Sequence, residues 1–364
     1  MSQSLFIVLS GVLSFLSMPL IILFCKKFSL YDYQNARKIH SGNIPRLGGV
    51  GIFLSFMISA SIFITTDKIT NINRILPLII AAAIIFLFAL LDDLLTLPAI
   101  IKLIVQLIAV SIVVFNGFRF HQIFSWELPL PISIILTFGW ILGVINAYNL
   151  IDGMDGLCGS FSITAIITLG ILYTLTGNEE SILCYILAAS ILGFLCFNWP
   201  PAKLFMGDAG SQFLGFMISV FPLFDSSNVF EYNKLLIMIV ITSFPVFDTI
   251  AAIWRRIRDK RPIMSPDRAH LHHKLLNMGY TKFTALYLLL FLQILLCGSV
   301  VISYFLGAKR GMALLIESIT FIILFFSFVH YTNRAVMLKK QKEEEEVLNA
   351  LNNHAEAESL DDKE

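Results

Sequence analysis

The sequence predicts an all-α polytopic membrane protein with about eleven transmembrane helices, its N-terminus outside and its C-terminus cytoplasmic. Apolar stretches of about 17 to 25 residues recur along the chain, and each is long enough to cross roughly 30 Å of hydrocarbon. The chain is 57% hydrophobic and only 14% charged, whereas a soluble protein of this size carries more charge. Its lysines and arginines also concentrate in alternate loops, which is typical of an inserted bundle.

The predicted spans follow one another with short connections. The first, LFIVLSGVLSFLSMPLIILF, has no positive residue before it and Lys26 and Lys27 after it. Signal peptides have the opposite charge order, so we expect this run to remain as a span. The eleven spans are expected at about residues 4–25, 48–65, 74–91, 100–116, 131–148, 157–176, 181–198, 211–224, 233–254, 283–306 and 312–331.

The distribution of positive charge predicts the orientation. Of the 26 lysines and arginines, 20 fall in the loops and tail expected inside, and the other six are Lys68, Arg74, Arg119, Lys234, Lys309 and Arg310. This asymmetry satisfies the positive-inside rule. We expect a membrane domain over residues 1–333 and a charged cytoplasmic tail over residues 334–364, either a solvated helix or a disordered end.

The remaining composition excludes several classes of site. The five cysteines are scattered without a CxxC spacing, so we expect apolar fillers rather than disulfides or a zinc cluster. The formal net charge of +1 gives no indication of nucleic acid as a partner, and none is expected.

Five polar motifs lie at span ends that share the predicted cytoplasmic face. They are YDYQNARKIHSGNIPRLGG, LDDLLTLPAIIK, NAYNLIDGMDGL, NWPPAKLFMGDAGS and FDTIAAIWRRIRDKRPIMSPDRAHLHHK. Any single aspartate among them would be read as a cap or loop residue. Together they favour one site, because ionisable groups at membrane depth cost roughly 2.5–3.5 kcal/mol and are by default functional candidates. The carboxylates are Asp92, Asp93, Asp152, Asp155, Asp208 and Asp248.

The NAYNLIDGMDGL motif predicts a helix end followed by a glycine turn. On a helix, Asn146, Asn149 and Asp152 lie near one face, and Asp155 lies opposite Asn146. We expect glycines 153 and 156 to let the backbone leave the helix after Asp152. The resulting amide and carboxylate oxygens suit a hard cation such as Mg²⁺, with Asp208 as a further ligand.

The histidine segment AHLHHK admits three interpretations. Zinc is disfavoured, because His270, His272 and His273 share one short segment without separated partner ligands. A solvated charged loop is the plain alternative. We favour an anion site for a diphosphate, because Arg268 precedes the histidines and its guanidinium can bind two phosphate oxygens at once.

These motifs, in this order, resemble the polyprenyl-phosphate N-acetylhexosamine-1-phosphate transferases. The resemblance rests on Asp92 and Asp93 with Lys102 nine residues on, NxxNxxDGxDGL, FMGDAGS and SPDRAHLHH, and it runs from about Asp32 to His273. Within the family, the chain is most similar to the WecA type, the undecaprenyl-phosphate α-N-acetylglucosaminyl 1-phosphate transferases. It departs from the muramoyl-pentapeptide branch, which usually has three consecutive histidines. It also has Thr96 where many relatives carry a further aspartate.

The resemblance implies a function for the membrane domain. It implies transfer of N-acetylglucosamine-1-phosphate from UDP-GlcNAc to undecaprenyl phosphate, with release of UMP, in a bacterial inner membrane. The lipid-linked product would start O-antigen, common-antigen or wall-polymer synthesis. The implied cofactor is Mg²⁺, with Mn²⁺ as an alternative ion, and a homodimer is left open.

Residue roles also follow from the resemblance. Asp208 and Asn149 would bind the metal, and Asp92, helped by Asp93, would keep the lipid phosphate deprotonated. Lys102 would hold that phosphate. Asp152 and Asp155 would position the nucleotide and the metal, and the diphosphate would contact Arg268, His270, His272 and His273. We prefer direct attack by the lipid phosphate to a covalent phospho-enzyme, because it requires only a metal and positioning.

Rival hypotheses are weaker on the sequence. Another UDP-sugar, such as UDP-MurNAc-pentapeptide or a different UDP-N-acetylhexosamine, stays open as the donor. An ion-coupled secondary transporter would place its charges near the midplane and often shows inverted repeats, whereas these charges lie at one face and no repeat is evident. A non-catalytic scaffold has no need for metal-type ligands.

Overall fold

The computed structural model is a bundle of α-helices, and it describes residues 3–32, 44–66, 72–95, 97–224, 228–262 and 269–361. The helices, in chain order, are α1 (Gln3–Phe28), α2 (Gly48–Thr66), α3 (Ile72–Leu95), α4 (Ala99–Phe115), α5 (Leu130–Ile151), α6 (Leu157–Thr176), α7 (Ser181–Asn198), α8 (Gly207–Val220), α9 (Asn228–Ile241), α10 (Ser243–Arg258), α11 (Leu271–Asn277) and α12 (Lys282–Asp361). A 3₁₀ turn, Phe221–Phe224, extends α8.

Strands are few in the described ranges. β1 (Tyr31–Asp32) pairs antiparallel with β2 (Ile44–Pro45), and β3 (Gln122–Ile123) pairs antiparallel with β4 (Trp126–Glu127). The predicted all-α class is confirmed, because both pairs are two-residue ladders in the connections between helices.

The helices match the predicted spans in position. By length and apolar composition, seven helices of the described chain are able to cross a membrane, or eight when the bent pair α9–α10 is taken as one span. α4 and α8 are shorter, at 17 and 14 residues. The polytopic class is therefore confirmed, and the count of eleven stays a prediction.

α12 is one element with a sharp break. Gly307 has φ 76° and ψ 178°, a left-handed conformation that favours glycine. The hydroxyls of Ser299 and Ser318 lie 2.9 Å apart, and a Cβ on Gly311 would lie 2.4 Å from the carbonyl oxygen of Ser303. These contacts pair residues on either side of the break, so the two halves pack antiparallel. They correspond to the predicted spans at 283–306 and 312–331.

The second half of α12 continues as a helix through Asp361. The predicted membrane domain and charged tail are therefore joined by continuous helix across residues 333 and 334. Helical structure in this stretch agrees with the solvated-helix alternative for the tail, and the division into two domains stays a prediction.

α9 and α10 meet at an angle of 69°. The bend frees the carbonyl oxygen of Ile241, and the side-chain amide of Gln293 donates to it at 2.9 Å. Gln293 is fully buried on α12, so this bond supplies a partner where the helix interrupts its own ladder. As a result, α10 leaves the direction of α9 and carries Asp248 toward the other polar motifs.

Aromatic packing holds the helices that carry those motifs. The rings of Phe53 on α2 and Phe86 on α3 stack with centroids 3.8 Å apart. Phe213 on α8 contacts Phe53 at 5.3 Å and Phe86 at 6.3 Å, edge to face in both cases. All three are buried, and aromatic pairs in these geometries add about 0.5–1.5 kcal/mol each beyond area burial.

The opposite end of the bundle carries residues from the predicted outside loops. The guanidinium of Arg74 donates to the carbonyl oxygen of Phe224, and the amide of Asn233 donates to the carbonyl oxygen of Ala308 at 3.0 Å. Lys234 forms an ion pair with Glu231. These residues share one end of the bundle, away from the five motifs. The placement agrees with the predicted alternation of loops, and which end faces outside stays a prediction.

Candidate functional site

The N-terminus of α8 is capped by a carboxylate from α3. The Oδ1 of Asp93 accepts a hydrogen bond from the backbone nitrogen of Asp208 at 3.1 Å, and its Oδ2 accepts one from Ala209 at 3.0 Å. The first turn of a helix leaves its N–H groups unpaired and carries partial positive charge. Asp93 satisfies two of these donors, so it fixes the LDDLL and FMGDAGS motifs against each other.

The segment after β2 closes over the same helix end. The guanidinium of Arg46 donates to the carbonyl oxygen of Asp93. The backbone nitrogen of Gly48 donates to the carbonyl oxygen of Phe205 at 2.8 Å, and the backbone nitrogen of Phe205 donates to the carbonyl oxygen of Pro45 at 2.7 Å. Gly207 has φ 78°, and a Cβ there would lie 2.4 Å from the carbonyl oxygen of Arg46. Only glycine fits at this crossing, which explains the MGD sequence.

Lys102 lies between two aspartates. Its ammonium forms an ion pair with Asp92, and its Nζ lies 3.8 Å from the Oδ2 of Asp208. The other oxygen of Asp92 accepts a hydrogen bond from the backbone nitrogen of Leu97 at 2.7 Å, in the connection from α3 to α4. We call Asp92, Asp93, Lys102 and Asp208 the acid–lysine cluster.

α5 contributes its last turns to this cluster. The amide nitrogen of Asn149 donates to the hydroxyl of Ser211 at 3.1 Å, which brings Asn149 beside the first turn of α8. Its carbonyl oxygen accepts no hydrogen bond within the described ranges. That oxygen and the part-exposed carboxylate of Asp208 are left as ligands for a bound group.

The chain leaves α5 where the sequence predicted. The helix ends at Ile151, Asp152 has φ −74° and ψ 39°, and Gly156 has φ 74°. The backbone nitrogen of Gly156 donates to Asn198 at 3.0 Å, and the backbone nitrogen of Ala202 donates to Asp155 at 3.2 Å. Asp155 therefore holds the Pro-Pro loop after α7, and its predicted role toward nucleotide and metal stays a prediction.

Gly153 does not have the turn conformation that was expected to let the backbone leave the helix. Gly156 takes the left-handed turn, and Gly153 is not among the described residues with positive φ. A Cβ on Gly153 would instead lie 3.1 Å from both the Cε1 and the Nε2 of His272. Gly153 thus provides room for an imidazole ring, and this contact joins NAYNLIDGMDGL to AHLHHK.

The histidine segment is held by Asp248. Nδ1 of His270 lies 2.9 Å from the Oδ2 of Asp248, and the backbone nitrogen of Leu271 donates to its Oδ1 at 3.0 Å. His270 and His272 stack with ring centroids 6.0 Å apart, and the rings of His272 and His273 are 4.4 Å apart. Burial, with a smaller contribution from His273, lowers the pKa of His272 to about 3. We call His270, His272, His273 and Asp248 the histidine cluster.

The described parts of the five motifs lie in one connected site. The acid–lysine cluster and the histidine cluster meet at the end of α5, where Asn149 faces the first and Gly153 faces the second. Asp152 lies between them as the residue that ends the helix. Arg268 and Thr96 lie outside the described residues.

The oxygen ligands at this site suit a hard cation whose coordination shell is completed by a substrate. Within the described ranges, no group of three or more His, Cys, Asp or Glu side chains has the arrangement of a metal site by itself. Mg²⁺ is usually held by one or two carboxylates together with substrate phosphates and water. Asp208 and the carbonyl oxygen of Asn149 match that pattern, and the ligand assignment stays a prediction.

A small cleft between α3, α4 and α8 adjoins the acid–lysine cluster. Asp92 and Lys102 lie at its polar end, and the cleft is also lined by Ile85, Phe88, Ala89, Val105, Gln106 and Gln212. Charge at one end and apolar side chains along the wall suit a ligand with an anionic head and a hydrocarbon chain.

Gln106, Gln212 and Arg46 were missed from the sequence although each has a signal there, and the partner of Asp248 was missed because it has none. Gln106 and Gln212 interrupt apolar spans, and polar side chains at membrane depth are functional candidates. Arg46 stands beside the double glycine of PRLGG and was read only as part of that motif. Asp248 was counted among the carboxylates, but its partner is 22 residues away and no local pattern indicates the pairing.

Comparisons with known proteins identify the family of this chain. Residues 75–224 match the model of glycosyl transferase family 4. The chain is 35% identical over 290 residues to a Bacillus subtilis (strain 168) protein named "Probable undecaprenyl-phosphate N-acetylglucosaminyl 1-phosphate transferase". The aligned region covers 75% of this chain and 78% of that protein.

Two further relatives have related names. An "Undecaprenyl-phosphate alpha-N-acetylglucosaminyl 1-phosphate transferase" of Yersinia pestis is 32% identical over 72% of this chain and 74% of its own length. A "Decaprenyl-phosphate N-acetylglucosaminephosphotransferase" of Mycobacterium leprae (strain TN) is 29% identical over 75% of this chain and 76% of its own length. The resemblance inferred from the motifs is confirmed. The chain belongs to the polyprenyl-phosphate N-acetylhexosamine-1-phosphate transferases of glycosyl transferase family 4.

Proposed function

We propose that the protein transfers N-acetylglucosamine-1-phosphate from UDP-GlcNAc to a polyprenyl phosphate, undecaprenyl phosphate in the first instance, and releases UMP. The observation that carries the proposal is the position of Lys102. Its ammonium lies between Asp92 and Asp208 at the polar end of a cleft with apolar walls. The names of the relatives supply the sugar and the class of acceptor.

The reaction exchanges one phosphorus–oxygen bond for another. An oxygen of the lipid phosphate attacks the phosphorus that carries the sugar, and the bond from that phosphorus to the bridging oxygen breaks. The electron pair leaves with UMP, and the product is a lipid-linked diphosphate sugar. Such transfers need positioning and charge stabilisation rather than a protein nucleophile, so direct attack requires no covalent enzyme intermediate.

On the acceptor side, Lys102 attracts the lipid phosphate and Asp92 takes up its remaining proton. The ion pair between the two holds both side chains at the polar end of the cleft. Asp93 is committed to the backbone of α8 through both oxygens, so it positions Asp208 and does not itself touch the phosphate.

On the donor side, the histidine cluster and Arg268 bind the diphosphate of the nucleotide sugar, beside Asp152 and Asp155. Asp248 accepts from Nδ1 of His270, which leaves Nε2 of that ring to face a ligand. Asn149 and Asp208 would hold Mg²⁺, with Mn²⁺ as an alternative ion. When bound, the ion neutralises charge on the transferring phosphates.

The nucleotide sugar is soluble and its acceptor lies in the lipid, so the proposed site faces the cytoplasm from a bacterial inner membrane. The excess of lysine and arginine on the same side supports that orientation. The acceptor length, undecaprenyl or decaprenyl, and a homodimer are further parts of the proposal that the relatives' names leave open.

The test uses the full-length protein purified in detergent with radiolabelled UDP-sugars. We expect UDP-GlcNAc with undecaprenyl phosphate to give a labelled lipid diphosphate and UMP in equal amounts. Product from UDP-MurNAc-pentapeptide or another UDP-N-acetylhexosamine, with none from UDP-GlcNAc, would assign a different donor. Absence of any lipid product, together with substrate transport in vesicles, would support the transporter alternative.

A further inference from the structure

A second polar layer lies one helical turn deeper than the acid–lysine cluster. Gln106 follows Lys102 by four residues on α4, Gln212 follows Asp208 by four on α8, and Asn146 precedes Asn149 by three on α5. Four residues of helix correspond to about 6 Å along the axis. Gln106 and Gln212 are 4% and 6% exposed. We call these three side chains the amide layer.

The amide layer is a chain of hydrogen bonds across three helices. The nitrogen of Asn146 donates to the carbonyl oxygen of Leu142 at 2.7 Å and to the side-chain oxygen of Gln106 at 3.2 Å. The nitrogen of Gln106 donates to the side-chain oxygen of Gln212 at 3.0 Å. The layer therefore connects α5 to α4 and α4 to α8.

The direction of this chain is fixed by one backbone group. The carbonyl of Leu142 can only accept a hydrogen bond, so the atom of Asn146 that faces it must be the nitrogen. The same nitrogen faces Gln106, so Gln106 must present its oxygen there and its own nitrogen to Gln212. Gln212 then uses its oxygen as acceptor, and its nitrogen remains as the free end of the chain.

The nitrogen of Gln212 faces the cleft. It donates no hydrogen bond to any residue in the described ranges, and the side chain is buried apart from the cleft that it lines together with Asp92 and Lys102. This nitrogen is not among the fully enclosed unpaired atoms of the described residues, so it is reachable from the cleft. Its geometry therefore calls for an acceptor atom that enters the cleft with a ligand.

We propose that Gln212 donates a hydrogen bond to the phosphate of the polyprenyl acceptor, on the side nearest the hydrocarbon chain. Gln106 and Asn146 act as positioning residues that keep its nitrogen directed into the cleft. The inference rests on the proposed function. A phosphate is the expected partner, because Lys102 supplies a cation at the same end of the cleft and Gln212 offers only a donor.

The decisive variant is Gln212→Glu. A carboxylate keeps the oxygen that accepts from Gln106, so the connection between α4 and α8 persists, but it replaces the donor by a charge that repels phosphate. We expect the KM for undecaprenyl phosphate to rise roughly ten- to a hundredfold, while the KM for UDP-GlcNAc stays within about twofold. Gln212→Met removes the donor without adding charge and should raise the acceptor KM by a smaller factor.

Ser219→Ala is the matched control. Ser219 lies on the same helix and is buried, and its hydroxyl bonds to the carbonyl oxygen of Phe216 within that helix. It does not line the cleft, so this variant should keep wild-type constants for both substrates. A similar rise in acceptor KM in Ser219→Ala would assign the effect to general loosening of α8.

A double-mutant cycle tests the positioning role. Gln106→Leu alone should raise the acceptor KM, but it should add little to Gln212→Met, because a residue that acts through Gln212 has no effect once the donor is gone. Full additivity would overturn the positioning role of Gln106.

Two outcomes would overturn the assignment of Gln212 itself. One is an unchanged acceptor KM in both Gln212→Glu and Gln212→Met, and the other is a defect confined to UDP-GlcNAc. If the wild type is active, either result contradicts only the assignment of Gln212, and the proposed function stands. If the wild type forms no lipid diphosphate from UDP-GlcNAc, the proposed function itself is refuted. If Gln212→Glu does not yield folded protein, the acceptor KM of Gln212→Met tests the same assignment.

Discussion

Asp93 and Asp208 are joined through the N-terminus of α8, where the Oδ1 of Asp93 accepts a hydrogen bond from the backbone nitrogen of Asp208 at 3.1 Å. Its neighbour Asp92 points to Lys102 instead, because consecutive helical residues are about 100° apart around the axis. Two adjacent carboxylates thus perform different tasks. Asp93 sets the position of a functional helix end, and Asp92 remains beside the cation of the cleft.

The two aspartates should therefore differ in their effect on stability. Asp93→Ala removes the cap of α8, and loss of a capping side chain typically costs about 0.5–2 kcal/mol in the free energy of unfolding. Asp92→Asn keeps the volume and should leave the thermal midpoint nearly unchanged while it reduces turnover. Thermal unfolding in detergent, alongside turnover, measures both. Equal midpoints for the two variants would contradict the capping role.

Asp208 is expected to decide the response to the metal. Asp208→Asn keeps the volume and leaves the backbone bond to Asp93 intact, but it removes the charge that offsets Mg²⁺. The variant should fold, and turnover should be nearly absent at limiting Mg²⁺. A titration of Mg²⁺, with removal of metal by chelation as the starting point, measures this. Wild-type turnover of the variant at limiting Mg²⁺ would show that the metal is held elsewhere.

Gly153 should be sensitive to a single methyl group. In Gly153→Ala the new Cβ would lie 3.1 Å from the ring of His272, so the imidazole must shift away from its place beside Gly153. We expect turnover to fall by about tenfold, which corresponds to roughly 1.4 kcal/mol in the barrier. Initial rates with UDP-GlcNAc varied measure the change.

Gly143→Ala is the control for that experiment. Gly143 lies on α5, the helix that precedes Gly153, and a Cβ there would meet nothing within 4 Å. This substitution should leave turnover unchanged and should, if anything, stabilise the helix by up to about 1 kcal/mol. If both alanine variants have the same turnover, the contact between residue 153 and His272 does not affect catalysis.

His272 should contribute to the dependence of stability on pH. Its pKa is about 3 in the folded protein and about 6.5 in an unfolded chain. The folded state therefore favours the neutral ring. The contribution is fully present above about pH 6.5 and is lost as the pH falls toward about 3. The nearby groups His273, His270 and Asp248 act on the same ring: the two histidines lower the pKa of His272, and Asp248 raises it.

The measurement compares the wild type with His272→Gln. Below about pH 6.5, one buried neutral histidine changes the free energy of unfolding by up to about 1.4 kcal/mol per pH unit. Between about pH 7.5 and about pH 5.5, the thermal midpoint of the wild type should therefore fall further than that of the variant. Parallel pH profiles for the two proteins would show that His272 is not buried as a neutral ring.

Some of the fold and the site could be read from the sequence because the signals are local. Apolar runs of membrane length are continuous in the chain, so the helices lie close to the predicted spans. The end of α5 after Ile151 was predicted from the glycine-containing turn of NAYNLIDGMDGL, in which Gly156 takes the left-handed conformation that favours glycine. Asp92 lies near the end of α3 and Lys102 near the start of α4, on either side of one short connection, so the motif that contains both is also a local signal.

The tertiary structure alone decided which side chains act on each other across distance. The Asp248–His270 pair joins residues 22 apart, the Gly153–His272 contact joins two motifs, and the amide layer joins three helices. The physical reason is that a polar side chain buried among apolar helices must find its hydrogen-bond partner on whichever helix packs beside it. The sequence determined that such groups exist and at which helix ends, and helix packing determined their partners.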